Sequence, residues 1–393
     1  MSPTLISDAD NEPEYRDEIA QQINFLIGSL NSLGAVADLG HALVTIDRVE
    51  RVGGRYRLSY TAKVLIAWPR SRPIPHTIGV LMPEGGDETA LVSFFKKFSP
   101  NCSHDAKDPA LDRYSFYYYF RPNKATCPLL QETTTPAIQP TLSAKISLKN
   151  TTNKSPQYKK VWEDNELRGT LVFATNEPGS LSPGDAGIQA FNQMFGYLIQ
   201  TWGLPSSSSV PLTQYPAPHY DSVELTFRNG PRSANIALLL IDKKGLQHPT
   251  EKFRQRYHER SERSDYISYS GHSDYGENIR ALAKMGRFKK GQYQLFFING
   301  CDTFAYVDDQ LRAAHLAINP GAAPYEFFNI ITNAMPASFS ALARDNMVVL
   351  DALVRANQTY RQILAGLDPA QAANVMGEED NPDWYKKQLR SHP

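Results

Sequence analysis

Two apolar segments of the sequence each end in a glycine followed by a reactive side chain. DYISYSGHS carries Gly271-His272, and YQLFFINGC carries Gly300-Cys301. A thiol is only slightly ionised at neutral pH, and the thiolate is the nucleophilic form. A neighbouring imidazole can take the thiol proton and later return it to a leaving amine. The two segments therefore predict nucleophilic catalysis by a cysteine paired with a histidine.

The spacing of the two segments predicts that these side chains meet. His272 and Cys301 lie 29 positions apart, which is enough for one strand–helix–strand unit. A right-handed crossover places two such strands side by side or nearly so. Because Gly271 and Gly300 allow close backbone approach, we expect the N–H groups of Ser273 and Cys301 to bind an oxyanion. We also expect the helix that starts after Cys301, in the segment YVDDQLRAAHLAI, to favour the thiolate through its dipole.

Polar residues beside the pair predict a substrate cleft. Asp274 follows the histidine, Asp302 follows the cysteine, and Asn333 and Ser338 lie after the next apolar strand. The carboxylates could pair with a basic side chain of a substrate. Alternatively, Asp274 caps the helix that follows it and Asp302 orients a loop. No metal site is predicted, because the sequence lacks CxxC, HExxH and HxH spacings.

The region from residue 166 to residue 393 predicts the scaffold for this site. Strand-like and helix-like segments alternate through most of it, and the runs ALLLI and LFFI are continuously apolar. This alternation is typical of an α/β domain whose mostly parallel sheet is sandwiched by helices. A long helix is predicted over 339–364. In such sheets, functional sites form beyond the carboxyl ends of the strands.

The first 150 residues have a different pattern. Residues 14–33 place apolar side chains at helical spacing, whereas HALVTIDRVE and RYRLSYTAKVLIAWP predict a hairpin around RVGG. Further short strands, including SFYYYFRP, make 1–150 an N-terminal helix plus a β-rich region of unknown role. The polar residues 151–165 are predicted to be a linker or surface loop. Cys102 and Cys127 either pair, which needs an oxidising compartment, or remain packed thiols.

The two glycine-containing segments resemble the caspase–gingipain–legumain group of cysteine peptidases (clan CD). The motif of that group is an apolar block followed by His-Gly, then a spacer, then a second apolar block followed by Ala or Gly and Cys. ISYSGHS and LFFINGC occupy those places over roughly residues 165–365. The resemblance implies a caspase-like α/β sandwich, Cys301 as nucleophile, His272 as general acid/base and no cofactor. Ser273 departs from the motif, which has glycine at that position.

Three functions stay open at this level. The leading interpretation is a cysteine peptidase that acts on a protein or peptide substrate through an acyl-enzyme. The alternatives are a catalytically silent recognition protein of the same fold and a Cys-His amidase or acyl transferase. The 41 basic and 41 acidic residues cancel, so no charge field attracts nucleic acid.

The sequence also gives expectations about the membrane and the compartment. No run approaches the ~18 apolar residues of a membrane span. The polar N-terminal residues lack a signal-peptide pattern. The sequence predicts neither a compartment nor an oligomeric state.

Overall fold

The computed structural model describes residues 3–69, 72–130, 137–146, 153–212 and 215–381. The chain divides into two units, Met1–Ile146 and Ser147–Pro393. This division falls close to the change of sequence pattern near residue 150. Within the described ranges, no helix is both long enough and apolar enough to cross a membrane.

The first unit combines helices with small antiparallel sheets. Its elements, in chain order, are β1 (Thr4–Ser7), α1 (Glu12–Asn31), β2 (Val36–Val52), β3 (Arg55–Ala67), β4 (Thr77–Gly79), β5 (Met82–Pro83), α2 (Glu88–Cys102), α3 (Phe116–Tyr119), β6 (Ala137–Ile138) and β7 (Thr141–Ser143). β1, β3 and β2 form one antiparallel sheet in that order, while β4 pairs with β7 and β5 pairs with β6. The β2–β3 hairpin turns at Gly53 and Gly54, which both have positive φ. Glycine adopts this conformation without the steric penalty of a side chain.

The first unit contains more helix than its β-rich sequence pattern predicts. α2 covers a segment for which the sequence predicted no element, and Asp87 caps it by accepting a hydrogen bond from the Ala90 N–H at 2.9 Å. Its residues Phe94 and Phe98 are buried. The segment SFYYYFRP forms the short helix α3 instead of the predicted strand. Its aromatic side chains pack edge-to-face in the core of the unit, so their burial does not require a pleated sheet.

A disulfide fixes the end of α2. Cys102, the last residue of this helix, is bonded to Cys127, and both residues are buried. Of the two states that the sequence left open, the structure has the paired one. Cys301 in the second unit remains a thiol.

The second unit is an α/β domain built on an eight-stranded sheet. Its strands are β8 (Glu166–Ala174), β9 (Ser207–Ser208), β10 (Ser222–Asn229), β11 (Arg232–Ile241), β12 (Tyr266–Ser270), β13 (Gln294–Asn299), β14 (Phe328–Asn333) and β15 (Ala373–Met376). They lie in the order β15-β14-β13-β12-β8-β11-β10-β9. The five strands from β14 to β11 are parallel, whereas the pairs β15–β14, β11–β10 and β10–β9 at the two edges are antiparallel. The predicted mostly parallel sheet is therefore confirmed.

Helices cover both faces of this sheet. They are α4 (Tyr158–Val161), α5 (Ala186–Trp202), α6 (Glu251–Ser261), α7 (Glu277–Lys284), α8 (Gln310–Ile318), α9 (Phe339–Arg355) and α10 (Tyr360–Gly366). On one face, Leu295 and Phe297 of β13 join the core with α5, α9 and α10. On the other face, Phe296 and Ile298 of the same strand lie beside α6, α7 and α8. Successive side chains of a strand point to opposite faces, so an apolar run such as LFFI supplies both cores.

One predicted element of this unit differs from the structure. The helix predicted over 339–364 is broken: α9 ends at Arg355, Ala356 has a φ of +54°, and Thr359 caps α10. In the described part of the predicted linker or surface loop, 153–165, α4 is present and Gln157 and Val161 are buried, while residues 163–165 are exposed. Residues 151 and 152 lie outside the described ranges.

Candidate active site

The register of β12 and β13 brings His272 and Cys301 to neighbouring positions. The last residues of these parallel strands, Ser270 and Asn299, are paired directly. The Gly271 N–H donates to the Asn299 carbonyl at 3.2 Å and extends the pairing by one residue. His272 and Cys301 therefore each lie two residues beyond the same strand pair. Since neighbouring strands are only ~4.8 Å apart, both side chains start from one short stretch of the sheet edge.

Gly271 and Gly300 allow this close approach. A Cβ added at Gly300 would lie 2.7 Å from the Gly271 carbonyl oxygen and 3.5 Å from the Ser273 nitrogen. A Cβ added at Gly271 would lie 2.8 Å from the Ala174 Cβ. Real Cβ atoms do not tolerate contacts of 2.7–2.8 Å with fixed atoms. Contact alone therefore requires glycine at both positions.

The thiol and the imidazole also contact the same downstream segment. Cys301 Sγ lies 3.8 Å from the Ala337 carbonyl oxygen. The His272 ring lies 5.0 Å from the Phe339 ring, measured between centroids, in an edge-on arrangement. Both His272 and Cys301 are partly exposed. The two reactive groups thus converge at the start of α9 and are reachable from solvent.

Asn176 is a site residue that the sequence reasoning missed. It lies two residues beyond β8, the other neighbour of β12, and its Oδ1 lies 3.1 Å from His272 Nε2. If Nε2 carries the proton and donates to this oxygen, Nδ1 is left as the basic nitrogen. The rule that sites form beyond the carboxyl ends of parallel strands could have identified Asn176, because β8 ends at the same edge of the sheet as β12 and β13.

Two buried side chains fix the backbone of His272. Its carbonyl oxygen accepts hydrogen bonds from the Tyr269 hydroxyl at 2.6 Å and from Asn278 Nδ2 at 2.9 Å. Asn278 Nδ2 also lies 2.9 Å from the Lys243 carbonyl oxygen. Tyr269 and Asn278 are both fully buried. These bonds hold the residue that presents the imidazole and leave little freedom in its main chain.

The surroundings of His272 favour a neutral imidazole. Burial lowers the pKa of His272 below its usual value, and the positive charge of Lys243 lowers it further. A hydrogen bond with the backbone of Asn176 and the charges of Asp274 and Glu177 raise the pKa of His272 and so oppose this shift without reversing it. A base must be unprotonated to accept a proton, so the lowered pKa suits that role at neutral pH.

Of the expected oxyanion donors, Ser273 lies close to the turn that carries the thiol, but the expected helix does not. The Ser273 nitrogen lies 3.5 Å from the place that a Cβ at Gly300 would take, and among the described residues its N–H donates to no backbone carbonyl, although Ser273 itself is buried. The residues after Cys301 form only one 3₁₀ turn, Thr303–Ala305, and α8 begins at Gln310. The prediction of a helix dipole at Cys301 was therefore wrong.

Asp302 and Asn333 do not line a cleft, because both are fully buried. Asn333 Nδ2 donates to the Gly300 carbonyl at 3.1 Å and to Asn299 Oδ1 at 2.9 Å. Asn333 therefore fixes the turn that carries the cysteine. Asp302 adopts a left-handed conformation within that turn, with a φ of +50°, which agrees with the alternative that it orients a loop.

Asp274 and Ser338 stay near the rim of the site. Asp274 is half-buried, and its Oδ2 accepts a hydrogen bond from Gln247 Nε2 at 2.5 Å. Gly276, not Asp274, is the cap residue of α7, so the capping alternative was wrong. Ser338 is exposed between Ala337 and Phe339, where it can meet a bound molecule.

Metal sites and known families add no further assignment. Among the residues that the structure describes, no three His, Cys, Asp or Glu side chains are grouped in a way that could hold a metal ion. No protein-family model matches the chain, and no curated protein matches its sequence.

Proposed function

We propose that the second unit is a cysteine peptidase of caspase-like fold that works through Cys301 and His272. The observation that carries the proposal is the in-register end of β12 and β13, which places an imidazole and a thiol at equivalent positions of two adjacent strands. The glycine contacts between the strand ends and the convergence on residues 337–339 support the same site.

The proposed reaction uses groups that the chain supplies. His272 Nδ1 takes the thiol proton of Cys301, and the thiolate attacks the carbonyl carbon of a peptide bond. The N–H groups of Ser273 and Cys301 stabilise the oxyanion. The imidazolium then protonates the leaving amine as the C–N bond breaks, which leaves a thioester. Water, deprotonated by His272, hydrolyses the thioester and regenerates the thiol.

Alkylation and peptide cleavage together test the proposal. Iodoacetamide should alkylate Cys301 well below pH 8, and a peptide library should yield new amino and carboxyl ends. Cys301→Ala should lower cleavage at least ~1000-fold while changing the free energy of unfolding by less than about 1 kcal/mol. His248→Ala is the matched control for His272→Ala, because His248 is an exposed histidine of the same unit that follows a different strand, β11.

The outcomes separate the alternatives. Cleavage that survives Cys301→Ala would refute the nucleophile. Rapid alkylation without peptide cleavage would favour an amidase or acyl transferase. Slow alkylation, with the pH dependence of an ordinary thiol, would favour a silent recognition protein.

A further inference from the structure

Asp185 is a buried carboxylate that does more than cap a helix. It precedes α5, and its Oδ1 accepts hydrogen bonds from the N–H groups of Gly187 at 2.8 Å and Ile188 at 3.1 Å. The same carboxylate accepts from the Asn176 N–H at 2.9 Å and from the Glu177 N–H at 3.0 Å. An ordinary N-cap satisfies only the donors of its own helix. Asp185 therefore joins the first turn of α5 to the loop that follows β8.

Close packing fixes this junction. A Cβ at Gly187 would overlap the Ala174 carbonyl oxygen, so the first turn of α5 rests directly on the end of β8. Asp185 is only 7% exposed. Burial alone would raise the pKa of its carboxyl group, but the four backbone donors outweigh burial and hold the pKa below its usual value. The carboxylate thus stays charged and bound to the loop at neutral pH.

The loop that Asp185 holds carries the partner of the imidazole. Asn176 donates its backbone N–H to Asp185, and its side-chain Oδ1 contacts His272 Nε2. Among the described residues, every hydrogen bond that the Asp185 carboxylate accepts comes from a backbone N–H of the loop after β8 or of α5. Asp185 is linked to His272 through Asn176, whose backbone N–H donates to Asp185 and whose Oδ1 contacts the His272 ring.

We propose that Asp185 is a positioning residue for His272: it fixes the backbone of Asn176, and Asn176 fixes the ring in the tautomer with the proton on Nε2. This inference rests on the proposed function of the dyad. Without the carboxylate, the backbone N–H groups of Asn176 and Glu177 lose their acceptor, the loop that carries Asn176 shifts, the ring samples both tautomers, and Nδ1 is basic for only part of the time. Small displacements of a catalytic group cost large factors in rate.

Two substitutions at position 185 test this. Asp185→Ser keeps a good N-cap residue, but its single uncharged oxygen replaces neither the full set of bonds nor Oδ2, which accepts from the Glu177 N–H at 3.0 Å and shares the Asn176 N–H with Oδ1. Asp185→Asn keeps the size but places an NH₂ group against backbone donors. The matched control is Thr359→Ala, which removes the cap of α10. The α10 cap lies after the C-terminal end of α9. Ala337 and Phe339, which contact the dyad, lie at the opposite end of α9, where this helix starts.

The readouts are the pH profile of Cys301 alkylation by iodoacetamide and the ¹⁵N–¹H correlation of the histidine rings in the full-length chain. His272 is assigned by comparison with His272→Gln. We expect Asp185→Ser to slow alkylation at pH 7 about ten- to a hundredfold, to move its profile to higher pH, and to give His272 a mixture of tautomers. Thr359→Ala should lower the melting temperature without either change.

The ring spectrum separates the two hypotheses. If wild-type Cys301 reacts like an ordinary thiol, the peptidase proposal fails, yet the His272 tautomer still reports on Asp185. A single Nε2–H tautomer in folded Asp185→Ser and Asp185→Asn, with a wild-type alkylation profile, would overturn the positioning role.

Discussion

Gly300→Ala is the sharpest perturbation of the proposed site. Gly300 does not have a positive φ, so alanine strains no backbone dihedral there, and the whole effect comes from contact. The new Cβ would lie 2.7 Å from the Gly271 carbonyl oxygen, whereas ordinary contact begins near 3.4 Å. The strand ends must therefore separate by about 0.7 Å. The Gly271 carbonyl oxygen belongs to the backbone and cannot turn away, whereas the next atom, Thr303 Cγ2 at 3.2 Å, ends a side chain and has to shift only slightly.

The expected cost follows from this displacement. Overpacking of one methyl group in a close-packed region costs about 1–3 kcal/mol. In a unit of this size, each kcal/mol lowers the melting temperature by about 2–4 °C. A shift approaching 1 Å between Cys301 and His272 should slow alkylation and peptide cleavage by ten- to a hundredfold.

Thermal melting and iodoacetamide kinetics on the same preparations measure both effects. Gly196→Ala is the matched control, because Gly196 lies inside α5 and a Cβ there meets nothing within 4 Å. That variant should gain about 0.5–1 kcal/mol and keep wild-type alkylation. Wild-type melting and wild-type alkylation of Gly300→Ala would show that the two strand ends are not in the contact described.

Two further predictions concern buried titratable groups away from the dyad. Burial raises the pKa of Asp265 to about 8, so the stability that its protonated form contributes is lost as the pH rises toward 8. Asp265→Asn should raise the free energy of unfolding at pH 9 by roughly 1–4 kcal/mol and much less at pH 5. Denaturant titrations at both pH values measure this, and an equal gain at each would contradict it. His315 is stacked between Phe288 and Phe328, and burial lowers its pKa to about 3. The folded state therefore loses up to about 1.4 kcal/mol per pH unit below pH 6.5, and His315→Phe should reduce the drop in melting temperature between pH 7 and pH 5. An unchanged drop in melting temperature would show that the His315 ring is protonated as easily in the folded chain as in the unfolded chain.

The sequence predicts the scaffold of the second unit well where hydrophobic pattern and length agree. β12 and β13 coincide with the apolar runs that precede Gly271 and Gly300. Strands that are buried on both faces have continuous apolar sequences, so these two could be predicted. The break between α9 and α10 escaped prediction, because Ala356 continues the apolar pattern while its left-handed φ ends the helix. The amino acids around Ala356 do not indicate its left-handed conformation.

The first unit shows how aromatic content misleads. Phe94, Phe98, Phe116 and Phe120 fit strand propensity, yet they lie on or beside helices. Phe25 of α1, which is distant in sequence, contacts the rings of Phe94, Phe116 and Phe120, and Phe98 packs on Phe94. Propensity for the pleated surface reflects such packing rather than the backbone itself.

The candidate site could be predicted only in part. Strand order and crossover rules suffice to bring His272 and Cys301 to one edge. They do not determine which polar residues turn inward, and Asn333, expected in a cleft, is a buried support for Gly300. Asn176 and Asp185 were missed because their roles depend on the contact between β8 and α5, which no spacing motif encodes.

The chain holds its cysteines in two oxidation states, and this bears on how the protein is handled. The sulfur atoms of Cys102 and Cys127 are shielded, while Cys301 is open to solvent. Exchange requires a thiolate to reach a sulfur atom, so a mild reductant should restore an oxidised Cys301 and spare the bridge. A preparation purified in air without reductant could look inert for that reason alone.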